Sequence, residues 1–144
     1  MRAEVFIDTN ILLYAQSKDR TEEQKRIIAR KVLTRSSIAL SAQVLGEFYV
    51  NATAKLRPAL SHKEAALIMD RLGYLPIQPI THLVVREALR IKAEYALSYW
   101  DSLIISAAKE LGCKQIASED MSDGQLYSGV RVVNPFRQDK EGTE

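Results

Sequence analysis

Short apolar runs that alternate with longer segments of helical period constrain the fold more than any other feature of this sequence. The runs lie at residues 5–7, 37–40, 115–118 and 130–133. Between them, apolar residues recur at the spacing of an amphipathic helix. Strands that are apolar throughout and alternate with helices are typical of parallel sheets covered on both faces. The sequence therefore predicts one α/β domain with a central, mostly parallel sheet.

Capping residues predict where several of the helices begin. Ser41 and Thr81 each directly precede a segment of helical period. Ser61 and Glu64 have the Ser-x-x-Glu spacing of a capping box, in which each side chain bonds the backbone of the other residue. The apolar run 77–80 contains a proline, which predicts a strand at the edge of the sheet.

Composition excludes several classes of protein. The chain of 144 residues has one cysteine, Cys113, and two histidines, so neither a disulfide scaffold nor a structural zinc module is expected. Lys and Arg number 20 and Asp and Glu number 18, so nucleic-acid binding would depend on local patches of charge. Asp8 interrupts the apolar N-terminus, and prolines interrupt the longest uncharged stretch. We therefore expect a cytoplasmic protein with no signal peptide and no membrane span.

Several common catalytic and nucleotide-binding motifs are absent from the sequence. No Gly-x-Gly-x-x-Gly follows a predicted strand, and there is no Walker-type Gly-Lys-Ser/Thr and no Gly-x-Ser-x-Gly. Dinucleotide binding, a P-loop and a serine nucleophile at a strand–helix turn therefore lack support.

Carboxylates lie at the ends of predicted strands, where ligands bind in open α/β sheets. Asp8 directly follows the run 5–7, and Asp120 lies two residues beyond 115–118, with Asp123 three residues further on. Each has a simpler interpretation as well. Asp8 suits a helix N-cap, and the segment around Asp120 and Asp123 suits a polar turn. Taken one at a time, these acids do not require a functional site.

Asp101 is harder to explain as a surface residue. Ile104, Ile105 and Ala108 follow it at helical spacing, which places it on the apolar stripe of its helix. A buried carboxylate is costly unless something compensates its charge. Either Ser98 and Asp101 form a capping box, or Asp101 faces a cavity and a cation, and both can hold in part.

Glu47 lies in the middle of a helix just beside its apolar stripe, and alone it would be a surface glutamate. Together with Asp8, Asp101 and Asp120 it suggests acids that converge at one edge of the sheet. Converging carboxylates raise one another's pKa and destabilise the fold unless a cation screens them. Oxygen ligands without Cys or His favour Mg²⁺ or Mn²⁺. The pattern therefore predicts metal-assisted hydrolysis of a phosphodiester.

Four motifs in this sequence resemble those of PIN-domain proteins in order and spacing. They are FIDTN at residues 6–10, SAQVLGEF at 41–48, YWDSLI at 99–104 and IASEDMSD at 116–123. The resemblance covers residues from about 4 to 135. It implies a three-layer α/β/α fold with a central parallel sheet. We place this single domain at residues 1–136, and the polar sequence that follows predicts a flexible tail at 137–144.

The same resemblance implies roles for individual residues. The catalytic acids would be Asp8, Glu47, Asp101 and Asp120. The metal ligands would be Asp8, Asp101, Asp120 and Asp123, although Glu119 also offers an oxygen in the fourth motif. Asn10 would orient the ligating groups by hydrogen bonding.

Small members of this family are commonly VapC-like toxins of toxin–antitoxin pairs. The resemblance therefore implies an endoribonuclease that depends on Mg²⁺ or Mn²⁺, is held inactive by a small antitoxin protein and often forms a homodimer. Lys25, Arg26 and Arg30 belong to a basic segment that would contact RNA, although a solvated helix face is the simpler interpretation. The alternatives are a non-catalytic module that binds RNA or protein, a housekeeping ribonuclease and a DNA-directed nuclease.

Overall fold

The computed structural model describes residues 3–137, which form six strands, six α-helices and one 3₁₀ turn. The strands are β1 (Val5–Ile7), β2 (Ile38–Ser41), β3 (Ile77–Gln78), β4 (Gln115–Ala117), β5 (Leu126–Tyr127) and β6 (Val130–Val133). The helices are α1 (Thr9–Gln16), α2 (Glu23–Leu33), α3 (Ala42–Ala54), α4 (His62–Leu72), α5 (His82–Tyr95) and α6 (Tyr99–Glu110), with the 3₁₀ turn at Arg20–Glu22.

The six strands form one sheet in the order β3-β2-β1-β4-β6-β5. β1 pairs in parallel with β2 on one side and β4 on the other, so that Phe6 lies opposite both Ala39 and Ile116. The pairs β2–β3 and β4–β6 are also parallel, whereas β5 runs antiparallel to β6. The prediction of a central, mostly parallel sheet is confirmed.

The connections between strands place helices on both faces of this sheet. The chain steps from β1 to β2 to β3 in one direction and then returns to place β4 on the other side of β1. Because parallel crossovers are right-handed, α1–α4 cover one face and α5 and α6 cover the other. The helix contacts agree, since α1 packs against α2 and α3, and α5 packs against α6. The change of direction creates a switch point between β1 and β4, where open α/β sheets bind ligands.

The central strands are buried on both faces. Every residue of β1 and β2 is buried. Phe6 and Ile116 of the sheet, Phe48 of α3 and Ile105 of α6 are fully buried. Each such side chain contributes about 1.5–3 kcal/mol through removal from water. This core holds the carboxyl ends of β1 and β4 in a fixed relation.

The predicted caps and the predicted edge strand are confirmed. Ser41 and Thr81 each accept a backbone N–H from the first turn of the helix that follows. Ser61 and Glu64 form the reciprocal capping box at the start of α4. The proline-containing run supplies β3, which lies at the edge of the sheet as expected.

Strand β5 was not predicted from the sequence. This strand forms a hairpin with β6 through Ser128 and Gly129, which have positive φ angles of 52° and 88°. A two-residue turn of this kind matches the right-handed twist of the paired strands. The dipeptide Ser-Gly before an apolar run is the local signal that the sequence contains.

No helix within residues 3–137 combines the length and the apolar character that crossing a bilayer requires. The cytoplasmic location stays a prediction. Of the tail predicted at residues 137–144, all but Arg137 lies outside the described residues.

Candidate active site: an acidic pocket at the switch point

Asp8 directly follows β1 and is the N-cap of α1. Its backbone N–H donates to the carbonyl of Ala117 in β4, at 3.1 Å. Its carboxylate accepts two further hydrogen bonds of 2.7 Å, from the N–H of Thr9 to Oδ1 and from the hydroxyl of Ser118 to Oδ2. The side chain is therefore fixed between the ends of two neighbouring strands.

Burial dominates the electrostatics of Asp8. Only 6% of the residue is exposed. This burial raises the pKa of Asp8 to about 6, although the hydrogen bonds from Ser118 and Thr9 act against the rise, and the charges of Asp120 and Glu47 add to it. Asp8 thus has both of the roles considered for it: it caps α1, and its carboxylate is repelled by the charges of Asp120 and Glu47.

Asn10 fixes the loop that carries Asp120. Its Nδ2 donates to Asp120 Oδ2 at 3.0 Å, and its Oδ1 accepts the backbone N–H of Glu119 at 3.3 Å. The backbone N–H of Asp120 also donates to the hydroxyl of Ser118 at 3.2 Å. Through these bonds, the first turn of α1 determines where the Asp120 carboxylate lies.

Glu47 is held at both of its carboxylate oxygens. The hydroxyl of Thr9 donates to Oε1 at 2.7 Å, and Gln43 Nε2 donates to Oε2 at 3.1 Å. The Gln43 amide also donates to the carbonyl of Trp100, at 3.4 Å. Glu47 is half-buried and points into the site, whereas the sequence alone suggested a surface position.

Asp101 is in the first turn of α6 and is half-buried. Its backbone N–H donates to the hydroxyl of Ser98 at 3.1 Å, which is the serine half of the predicted capping box. Burial raises the pKa of Asp101, although the side chain of Ser98 acts against the rise, and the charges of Asp120 and Glu47 add to it. Capping and a cavity-facing carboxylate therefore coexist at this helix start.

These side chains meet in one cavity of about 320 Å³. Its acids are Asp8, Glu47, Asp101 and Asp120. Its other polar residues are Thr9, Asn10, Gln43 and Asn51, and Trp100 also lines it. Among the described residues that line it there is no lysine or arginine. The structure thus brings together four acids from four separate parts of the chain, with no cationic side chain in the lining to balance them.

A hard divalent cation fits the chemistry of this cavity, because the available donors are carboxylate, amide and hydroxyl oxygens. Within residues 3–137, no three His, Cys, Asp or Glu side chains form a ready-made metal cluster. Mg²⁺ commonly keeps several waters and contacts only one or two carboxylates directly, so it does not require such a cluster. Gln43 Oε1 is buried without a hydrogen-bond partner. An ion-bound water would supply the missing donor.

Asp123 does not join the other acids. Its Oδ1 accepts the backbone N–H of Asn134 at 2.8 Å, and its Oδ2 pairs with Arg137 at 3.0 Å. The Asn134 N–H, with the Arg137 guanidinium, holds the pKa of Asp123 below its usual value. Asp123 therefore ties its loop to the segment after β6 and is not among the residues that line the acidic cavity. Its position does not support the expectation that it ligates the metal.

Glu119 is also engaged elsewhere. The hydroxyl of Tyr14 donates to Glu119 Oε1 at 2.7 Å, and the ammonium of Lys25 pairs with Oε2. Burial alone would raise the pKa of Glu119, but Lys25 and Tyr14 outweigh it and lower that pKa. Lys25 Nζ further lies 4.8 Å from the ring centroid of Tyr14 and 5.7 Å from that of Phe136. Asp120 is thus the acid of the fourth motif that lines the cavity.

The basic residues predicted to contact RNA lie on α2, outside the acidic cavity. Lys25 is bound to Glu119, and Arg30 Nε donates to the carbonyl of Ala15 at 2.9 Å. Arg26 is half-buried on the same helix. A contact of these three residues with RNA stays a prediction.

A polar stripe along α3, which ends at the C-cap residue Lys55, was not predicted from the sequence. Gln43, Glu47, Asn51 and Lys55 follow one another at intervals of four, and residues four apart share a helix face. The first three line the acidic cavity, and Asn51 and Lys55 line an adjoining cavity of about 240 Å³. The interval of four is the signal by which the sequence could have revealed this stripe.

Solved structures with similar folds include bacterial toxins. One chain of a toxin–antitoxin complex from Klebsiella pneumoniae has a TM-score of 0.68 and 20% identity, over 94% of this chain and 100% of that one. A DNA-bound VapBC from Salmonella typhimurium gives 0.64 and 18%, over 90% and 96%. The sarcin–ricin loop cleaving toxin VapC20 from Mycobacterium tuberculosis gives 0.62 and 13%, over 81% and 90%. At these identities, the likeness establishes the fold alone.

Sequence comparison identifies the family directly. No curated protein matches this chain. The family model of the PIN domain, however, matches residues 5–122, which include Asp8, Glu47, Asp101 and Asp120. Since this match spans most of the chain, the protein belongs to the PIN domain family.

Proposed function

We propose that this protein is a divalent-metal-dependent endoribonuclease. The observation that carries the proposal is the cavity lined by Asp8, Glu47, Asp101 and Asp120, with no lysine or arginine among its described lining residues. A fold that gathers acids in this way loses stability unless a cation belongs there. The similar fold of a toxin that cleaves the sarcin–ricin loop supports RNA as the substrate.

Asp8, Asp101 and Asp120 would hold Mg²⁺ or Mn²⁺, directly or through water. When bound, the ion polarises the scissile phosphate and makes a water molecule more nucleophilic. Asp8 is the most rigid of the three, because both of its oxygens accept hydrogen bonds from the scaffold. Asn10 keeps Asp120 in place through its side-chain amide.

Glu47 would orient the attacking water. Thr9 and Gln43 restrain its carboxylate, which can then accept a hydrogen bond, and finally a proton, from that water. The water oxygen would form a bond to phosphorus while the bond from phosphorus to the leaving oxygen breaks. The leaving oxygen would take up a proton from solvent, and Glu47 would return its proton to solvent. One RNA strand would thereby be cut into two fragments without any covalent intermediate on the protein.

We further infer that the protein is the toxin of a toxin–antitoxin pair, with a small antitoxin protein as its inhibitor. The chain covers all of one protein from a toxin–antitoxin complex, and VapBC complexes have similar folds. Expression of a ribonuclease toxin should arrest growth, and co-expression of an antitoxin encoded in a small neighbouring reading frame should relieve that arrest. Size-exclusion chromatography with light scattering of the purified protein should show a dimer. Growth arrest that no neighbouring reading frame relieves would favour a housekeeping ribonuclease.

The test of the catalytic proposal is cleavage of single-stranded RNA by the purified protein with Mg²⁺ or Mn²⁺. We expect cleavage that stops with EDTA and resumes when the metal is restored. The Asp101→Asn variant, purified in the same way, controls for contaminating ribonuclease. Cleavage that persists in EDTA, or in that variant, would overturn the proposal.

A second measurement separates catalysis from mere binding. Because an ion that binds the folded state stabilises it, millimolar Mg²⁺ should raise the melting temperature. Cleavage together with such a shift supports the nuclease. RNA binding with neither cleavage nor a shift would identify a non-catalytic RNA-binding module.

A further inference from the structure

Trp100 combines a fixed position with an exposed side chain. The residue is 61% exposed and lines the acidic cavity directly beside Asp101. Its carbonyl accepts a hydrogen bond from Gln43, and its ring makes an edge-to-face contact with Tyr99 at a centroid distance of 5.0 Å. A large aromatic surface is therefore held in water at the mouth of the site, where it can receive another flat apolar group.

Lys55 marks the opposite end of the polar stripe on α3. It lines the adjoining cavity together with Leu13, Leu56 and two further acids, Glu22 and Glu119. These two acids are engaged elsewhere, since Glu119 binds Lys25 and Tyr14, and Glu22 accepts the hydroxyl of Ser17. The ammonium of Lys55 has no hydrogen-bond or ion-pair partner among residues 3–137. The two cavities share Asn51 and Asp120, so they form one continuous groove. This groove thus has the unpaired ammonium of Lys55 at one end, near the engaged acids Glu22 and Glu119, four acids in the middle and an exposed indole at the other end.

The length of the groove follows from the helix beneath it. Gln43, beside Trp100, and Lys55 are three intervals of four apart, which corresponds to about 18 Å along α3. That distance exceeds the size of one nucleotide. A nucleic-acid chain with one phosphodiester bound at the acids would therefore extend towards both ends of the groove.

We propose that this groove is a track for an unpaired stretch of nucleic acid, with one base stacked on Trp100 and one backbone phosphate paired with Lys55. The proposal rests on the proposed nuclease function and specifies its substrate. A base inside a duplex has both faces covered by its neighbours, so it cannot stack on the indole. Aromatic stacking accepts any base, whereas the lysine contacts the phosphate and adds no sequence preference. The track therefore selects for single-strandedness and not for sequence.

The chain contains one tryptophan, so its fluorescence reports on Trp100 alone. We would titrate the inactive Asp8→Asn variant, in Mg²⁺, with a short oligouridylate and with the same strand annealed to oligoadenylate. The single strand should quench the fluorescence to saturation, and the duplex should not. Absence of quenching by the single strand, or equal quenching by the duplex, would overturn the proposal.

Labelled oligouridylate, followed by fluorescence anisotropy, extends the test to variants without tryptophan. Trp100→Ala should raise the Kd about tenfold and Trp100→Phe should restore most of the affinity, as expected for stacking. Tyr74→Ala is the matched control, since Tyr74 is 92% exposed and lies outside the groove. A Trp100→Ala variant with unchanged affinity would contradict the stacking role.

The salt dependence of binding tests the other end of the track. Lys55→Gln should reduce the slope of log Kd against log salt by about 0.7, the value for one phosphate of a single strand. Lys63→Gln, on the exposed side of α4, should leave the slope unchanged. An unchanged slope in Lys55→Gln would contradict the proposed contact between Lys55 and a phosphate.

These outcomes separate the track from the nuclease. If the wild type cleaves RNA and neither Trp100→Ala nor Lys55→Gln alters the KM, the track is wrong and the nuclease stands. If quenching and the losses of affinity are seen but no metal supports cleavage, the nuclease is wrong and the track stands.

Discussion

The hydroxyl of Thr9 donates a 2.7 Å hydrogen bond to Glu47 across 38 positions of sequence. This bond links the first turn of α1 to the middle of α3, and so connects the strand end that carries Asp8 to the carboxylate that would orient water. Only 8% of Thr9 is exposed, so water competes poorly for its hydroxyl. Thr9 thus positions the carboxylate of Glu47. A search for acids at the ends of strands would not select it.

Replacement of Thr9 by valine should lower kcat by about tenfold to a hundredfold, the range seen when a supporting hydrogen bond to a metal-site residue is removed. Valine keeps the shape of threonine but cannot donate to Glu47. Thr9→Ser keeps the hydroxyl and should restore most of the activity. Steady-state cleavage of a labelled RNA would give kcat and KM for both. If Thr9→Ser is as impaired as Thr9→Val, the methyl group and not the hydrogen bond is what matters.

The two roles of the α6 start should be separable by mutation. Asp101→Asn should reduce cleavage by at least about a hundredfold and leave the melting temperature nearly unchanged, because it removes charge from the acidic cavity. Ser98→Ala should leave cleavage nearly unchanged and lower the melting temperature, because the lost N-cap costs about 1 kcal/mol of stability. Thermal melting and cleavage assays on both variants would test this. A large drop in melting temperature for Asp101→Asn would show that its main role is capping.

The fourth motif contains three acids, and the structure places only Asp120 in the cavity. Asp120→Asn should therefore lose activity by at least about a hundredfold. Glu119→Gln and Asp123→Asn should each retain activity within about tenfold, since their carboxylates bond Lys25 and Arg137. Cleavage assays at saturating Mg²⁺ would compare the three variants. Loss of activity in Asp123→Asn equal to that in Asp120→Asn would mean that the loop rearranges to bring Asp123 to the metal.

Replacement of Asp8 by asparagine should stabilise the metal-free protein at neutral pH. The pKa of Asp8 is raised from 3.8 to about 6 on folding, so its ionised form is disfavoured in the folded state. Below pH 4 the carboxyl is protonated in both states and costs nothing, whereas above pH 6 the full penalty applies. Asp8→Asn should therefore gain about 1–3 kcal/mol at pH 7.

The gain in Asp8→Asn should fade as the pH drops from 6 to 4, and melting in EDTA across this window would measure it. Asparagine also serves as a good N-cap, so α1 should keep its start. A variant that is less stable than the wild type at pH 7 would show that the lost hydrogen bond to Ser118 outweighs the relieved charge.

Much of the fold and part of the site could be predicted, because the signals are local. The caps at Ser41, Ser61 and Thr81 depend on a side chain and the next few backbone N–H groups. The alternation of apolar runs with helices fixes a parallel sheet, and parallel strands bring their carboxyl ends to one edge. Asp8 and Asp120 were predictable as neighbours on this ground alone.

The rest depended on the path of a loop, which no local signal determines. Asp120 and Asp123 are three residues apart, but one reaches the cavity through Asn10 and the other binds Asn134. Lys25 looked like a surface cation because its partner, Glu119, is 94 residues away. Such long-range pairs decide which charges are free, and a single sequence does not reveal them.

The pairing of β1 with β4 also determines when the site comes into being. Asp8 and Ser118 touch although 110 positions separate them, so the pocket has no counterpart in any early part of the chain. As the protein leaves the ribosome, Asp8, Glu47 and Asp101 are synthesised first, without the strand that completes their setting. Assembly of the pocket must wait until residues 115–120 have emerged and β4 has inserted beside β1. A nascent chain that ends before this segment thus lacks the complete acidic pocket, even though its other acids are already present.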